Sequence, residues 1–141
     1  MTEKTGRCLC GSVKFKATPK KAEVGVCHCS MCRKSSAGPF FAIDCGDSLV
    51  FDDETTLGVY GSSEWAERGF CNQCGSTIFW RLKDGSANIL AIDLFDDPGE
   101  LKLDHEVFID EKPDYYSFAE KTHQLTGKQV FDMFAASQES K

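Results

Sequence analysis

The sequence predicts a mainly β domain with short helices, one of them at the C-terminus. Three observations carry this. Short runs in which apolar and polar residues alternate are cut by turn formers such as Asp84-Gly85 and Pro98-Gly99, and a period of two belongs to a strand with one buried face. Seven of the eight cysteines fall in close groups: Cys8 and Cys10; Cys27, Cys29 and Cys32; Cys71 and Cys74. Near the end, Thr126 and Gln129 stand at capping-box spacing ahead of an apolar stripe at Val130, Phe131 and Phe134, which predicts a helix over about 126–137.

In chain order, residues 8–17 read as the first strand, because Val13, Phe15 and Ala17 alternate with Lys14 and Lys16. Lys14, Lys16, Lys20 and Lys21 are then its solvated face. Residues 22–29 form the next apolar run, with Cys27 and Cys29 on one strand face and His28 on the other. Ser30 is placed to cap a short helix that ends near Gly38-Pro39. Strands follow at 39–45, 48–52, 68–71, 76–82, 88–95 and 105–110. No fixed-period repeat or low-complexity segment interrupts them.

The chain has 141 residues, of which 41% are hydrophobic and 27% charged, the profile of one soluble globular domain spanning 1–141. Its opening residues contain no apolar run of signal-peptide type, and no stretch is long enough to cross a bilayer, so a cytoplasmic location is expected and no membrane partner. A formal charge of −6 argues against nucleic acid as a partner, since affinity for phosphates rests on Lys and Arg.

In a reducing compartment, clustered cysteines read as metal ligands rather than as disulfides. Cys8 and Cys10, two apart on a predicted strand, face the same way. Cys71 and Cys74 form a Cys-x-x-Cys-Gly knuckle in which Gly75 permits a tight turn. Two such pairs make one closed tetrahedral zinc site. Cys27, Cys29 and Cys32 supply three sulfurs and leave a fourth position, with Cys32 on the first helical turn, where a thiolate is favoured. Cys45 is the rival for that position, and a small buried hydrophobe is the equal alternative for it. His28 reads as an ordinary hydrogen-bonded histidine.

The order Cys-x-Cys-Gly, then CHCSMCRK with a small-residue run ending at Gly38, then RGFCNQCGSTIF resembles the glutathione-dependent formaldehyde-activating (GFA) family, also called the centromere-protein-V/GFA domain. The motif core of that resemblance runs over about 7–110. It implies a β-tent fold with two zinc ions. It also implies a structural site at Cys8, Cys10, Cys71 and Cys74, a catalytic zinc at Cys27, Cys29 and Cys32, and no ligand role for Cys45.

Zinc bound by three thiolates is a weak Lewis acid, better suited to holding a soft sulfur than to making hydroxide. A glutathione thiol there would ionise at neutral pH, although free thiols titrate near about 8.5. With the family resemblance this implies a carbon–sulfur lyase that joins glutathione or another thiol to an aldehyde such as formaldehyde, as in S-hydroxymethylglutathione synthesis. Arg33, Lys34 and Arg68 are the cations beside the motifs that could meet glutathione carboxylates, or else be plain surface charge. The alternative function is a noncatalytic zinc module that binds a protein or a small thiol.

Overall fold

A computed structural model of the chain describes residues 1–139. In chain order these form strands β1 (Lys4–Arg7), β2 (Lys14–Ala17) and β3 (Glu23–Cys27), helix α1 (Ser30–Ser36) and strands β4 (Phe40–Asp44), β5 (Val50–Phe51), β6 (Leu57–Tyr60) and β7 (Ala66–Cys71). Strands β8 (Thr77–Leu82), β9 (Asn88–Ala91), β10 (Lys102–Val107) and β11 (His123–Leu125) follow, then helix α2 (Gly127–Glu139). The chain is therefore mainly β with two α-helices, one of them C-terminal, as expected. Among the described residues no helix is long and apolar enough to cross a membrane.

The residues gather into two compact units, the first made of Met1–Ala22 and Ala42–Leu101, the second of Glu23–Phe41 and the residues from Lys102 on. In the first, β1, β2 and β5 form an antiparallel sheet in that order. A second antiparallel set runs β4, β9, β8, β7, β6, with β4 contributing Ala42–Asp44. Val13, Phe15 and Ala17 are buried while Lys14 and Lys16 are exposed, so the alternation seen in the sequence is real. Phe15 meets Phe95 edge-on at 5.3 Å and Phe51 at 6.2 Å, and these rings centre the core with Ile43, Ile78, Phe79 and Leu90.

The first expected strand is shorter than its pattern. Residues 8–13 are spent on a turn in which the Cys8 amide donates to Val13 O (3.0 Å) and the Gly11 amide to Cys8 O (3.1 Å). Gly11 takes φ +81°, a conformation that costs glycine nothing. Cys8 and Cys10 thus lie on a turn and not on one strand face, because a turn brings two sulfurs together more closely than an extended strand can.

In the second unit, β10 lies between β3 and β11 and is parallel to both. β3 ends at Cys27, so Cys29 is off the strand. Cys29, rather than Ser30, is the N-cap of α1: its sulfur accepts the Cys32 amide (3.3 Å). The helix ends at Ser36, where Ala37 and Gly38 turn their amides back onto Arg33 O. α2 begins with the predicted capping box, since the Gln129 amide donates to Thr126 Oγ1 (3.2 Å) and the Thr126 amide to Gln129 Oε1 (2.8 Å). Its apolar stripe is only partly covered. Phe131 meets Phe108 edge-on at 5.7 Å yet remains 54% exposed.

Candidate active site

The first unit brings Cys8, Cys10, Cys71 and Cys74 together, with all four sulfurs within 4.8 Å of one another. Cys8 and Cys10 are 3.6 Å apart, and Cys10 and Cys71 3.8 Å. A tetrahedron with zinc–sulfur bonds of about 2.3 Å has edges of about 3.8 Å, so the spacing fits zinc. The two turns that carry these sulfurs are tied by the Leu9 amide, which donates to Ser76 Oγ (3.0 Å). In the knuckle, Gly75 has φ +80° and its amide donates to Cys71 O (2.8 Å). That geometry turns the Gln73 and Cys74 amides onto Cys71 Sγ, both at 3.4 Å. The Val13 amide reaches Cys8 Sγ at 3.3 Å.

Two serines that sequence reasoning passed over complete this site. Ser12 Oγ lies 3.0 Å from Cys10 Sγ and 3.3 Å from Cys71 Sγ, and it accepts the Thr56 hydroxyl. Ser76 Oγ lies 3.2 Å from Cys74 Sγ. The Ser76 hydroxyl is the main reason that the Cys74 thiol is drawn down to about 5, and the Ser12 hydroxyl is the main one lowering Cys71. Hydroxyl and amide donors aimed at sulfur favour thiolate, the form that binds metal. Serines two residues from a cysteine were the available signal.

The second unit brings Cys27, Cys29 and Cys32 together, again with sulfurs within 4.8 Å. Cys29 and Cys32 form a second Cys-x-x-Cys knuckle, and Cys27 joins it from the end of β3. Hydrogen bonding with Cys29 and Cys32, followed by burial, pushes the Cys27 thiol up. Three crowded sulfurs resist ionising together unless a cation accompanies them. Among the described residues this group comprises three donors.

Cys45 belongs to the core of the first unit and is 1% exposed. Its amide donates to Asn88 O (2.9 Å), and burial, helped by Asp44, pushes its thiol up to about 12. It packs as a small hydrophobe. Of the three candidate cations, Arg33 and Lys34 stand on α1 beside the three cysteines, while Arg68 lies on β7 in the first unit, in register with Tyr60 and Trp80. Arg33 is partly buried and its Nε donates to His28 O (2.8 Å).

His28 itself is fully buried and hydrogen-bonded, at 2.8 Å from Nε2 to Glu106 Oε1 and at 2.8 Å from Nδ1 to Tyr116 Oη. Burial works against the Glu106 carboxylate, but hydrogen bonds from Thr122 and His28 outweigh it and hold the group below its usual range. Neither Glu106 nor Tyr116 is legible as a partner in the sequence, because each lies about eighty residues from His28 and neither falls in a motif.

Known proteins resemble this chain in sequence and in fold. The family profile described as glutathione-dependent formaldehyde-activating enzyme matches residues 3–111. An uncharacterized lyase of Schizosaccharomyces pombe is 35% identical over 131 residues, covering 92% of this chain and 96% of its own. A protein of Halomonas elongata, whose name provisionally assigns it glutathione-dependent formaldehyde activation, is 32% identical over 83 residues, covering 52% of this chain and 53% of its own. The crystal structure of a Rhodobacter sphaeroides protein shares the fold with a TM-score of 0.58 at 21% identity, covering 69% of this chain and 96% of that one. With seven cysteines gathered into two sets and a family match over most of its length, the chain belongs to the glutathione-dependent formaldehyde-activating enzyme family.

Proposed function

We propose that the chain is a zinc-dependent carbon–sulfur lyase acting on the adduct of a small thiol, glutathione in the first instance, and an aldehyde. The observation that carries this is the inequality of the two cysteine sets: four sulfurs in one and three in the other. Four close a tetrahedral site; three leave a position for a ligand. When bound at Cys27, Cys29 and Cys32, zinc supplies a place where an incoming thiol is held as thiolate. In the synthetic direction the thiol loses its proton, its sulfur forms a bond to the aldehyde carbon, and a proton is taken up by the former carbonyl oxygen; the lyase direction is the reverse. In this reading Arg33 and Lys34, on α1 beside the three cysteines, are the cations that would meet a peptide thiol's carboxylates. The four-cysteine set has a structural role in this reading. The partners are small molecules rather than nucleic acid or membrane, and the location is cytoplasmic.

Cobalt substitution tests the reading, because a fourth sulfur ligand intensifies and shifts the d–d bands of a tetrahedral site. Titrating glutathione into the dicobalt protein should change the spectrum of one ion of the two, and S-methylglutathione, which has no thiol to ionise, should not. A spectrum indifferent to glutathione, together with no turnover of formaldehyde and glutathione followed by NMR, would favour the noncatalytic module instead.

A further inference from the structure

The peptide between Cys27 and Cys29 is held at every polar atom of its middle residue. The His28 amide donates to Val107 O (3.1 Å), and its carbonyl accepts Arg33 Nε (2.8 Å). Its two ring nitrogens are taken by Glu106 and Tyr116. Glu106 Oε2 accepts the Thr122 hydroxyl and the Gln124 side-chain amide (3.4 Å), which fits a carboxylate that only accepts, so Nε2–H donates to Oε1. Tyr116 is itself clamped. Lys112 donates to Pro113 O, Tyr116 O and Ser117 Oγ and lies 5.1 Å above the Tyr116 ring. Phe118 stacks on His28 at 5.9 Å and 26°, with Phe41 against its edge at 5.3 Å.

Tyr116, Phe118, Thr122 and Gln124 all lie beyond residue 111, where the family match ends. We propose that the segment after residue 111 sets the metal affinity of the three-cysteine site, with Tyr116 and Glu106 as positioning residues that act through His28. This rests on the reading of Cys27, Cys29 and Cys32 as a metal site. Three sulfurs from a strand end and a helix cap bind well only if the peptide joining them stays in one place, and His28 is the residue that fixes it. Groups that orient ligands in this way change metal affinity by about 10–100-fold when they are removed. The same link reaches Arg33 through the His28 carbonyl, so the segment also helps to aim that side chain.

The test is a chelator competition on the dicobalt protein, with each site followed by its sulfur-to-cobalt charge-transfer bands. Tyr116→Phe removes one hydroxyl and keeps the ring that packs on His28 and Phe118. It should weaken cobalt at the three-cysteine site about 10-fold or more, leave the four-cysteine site unchanged, and shift the d–d bands of the weakened site alone. Glu106→Gln, which keeps the side-chain shape, should do the same. Wild-type affinity and spectrum in both variants would overturn the proposal while leaving the metal reading intact. Equal loss at both sites together with a lowered melting temperature would mark a general fold role and overturn it too. Uptake of one ion only by the wild-type chain would overturn the metal reading, and this inference with it.

Discussion

Cys10 is exposed and Cys74 half-buried, so serine can replace both without placing a hydroxyl in the core. Cys10→Ser with Cys74→Ser therefore isolates the contribution of the metal clip from that of packing. A metal ion held by the four cysteines would join Cys10 to Cys71 across 61 residues. Closing a loop of that length removes about 4 kcal/mol of chain entropy from the unfolded state. Against a total stability of about 5–15 kcal/mol this is a large share, and for a domain of this size it corresponds to a fall in melting temperature of about 10–20 °C. Calorimetry paired with metal analysis is the assay. The double variant should contain one zinc and melt low, and chelation of the wild type should bring its melting point down to the same region. Cys29→Ser should also contain one zinc yet melt within a few degrees of wild type, because its set lies within residues 27–32 and closes no long loop. A double variant that melts like wild type would refute the reasoning, as would a Cys29→Ser variant that falls equally far.

Two further outcomes follow from buried groups. Cys45→Ala should leave the dicobalt spectrum unchanged and cost about 1 kcal/mol by urea unfolding; with its thiol pushed up to about 12, Cys45 should resist alkylation in the folded protein at pH 8, and rapid labelling there would contradict its burial. Glu106 is held below the ordinary carboxylate value of about 4.3, so its stabilising contribution is full above that value and is lost as pH falls through the folded pKa. Unfolding of wild type and Glu106→Gln at matched metal content should show a stability gap that is wide at pH 7 and narrows toward pH 3, and a gap independent of pH would show that the carboxylate charge contributes nothing.

The cysteine sets were legible because spacing is a local property. Cys71 and Cys74 need only the turn that Gly75 allows, and Cys29 and Cys32 only a helix cap. The buried alternation at Val13, Phe15 and Ala17 and the capping box at Thr126 and Gln129 were legible for the same reason. The carriers of Cys8, Cys10 and Cys29 were misjudged, since a strand with period two and a tight turn both bring cysteines two apart to one side. β1 and β11 escaped notice because KTGR and HQL are too short and polar to show a period; they are strands through their pairing, Thr5 with Lys16 and Gln124 with Glu106. Tyr116 and Glu106 were out of reach for a different reason. A buried carboxylate looks like any surface glutamate until its partners are known, and those of Glu106 lie on β11, on the segment before it and on the loop after β3.

The supports of the two sulfur sets differ in a way that bears on where chemistry can occur. In the four-cysteine set, amides and the hydroxyls of Ser12 and Ser76 point at the sulfurs themselves. In the three-cysteine set the Cys32 amide also points at Cys29 Sγ, and beside it polar side chains converge on His28, between two of the thiols. The buried Glu106–His28 hydrogen bond adds little net stability, since the bonds both groups would make to water offset most of its gain and an apolar pair of similar shape would hold as well. Its value lies in direction: a satisfied polar network admits one arrangement where an apolar contact admits several. A closed tetrahedral site is kept in shape by its own four bonds to the ion. On the proposed function, a site that exchanges its fourth ligand must hold its other three in place while that position turns over, and the peptide fixed at His28 would supply that constraint from outside the coordination sphere.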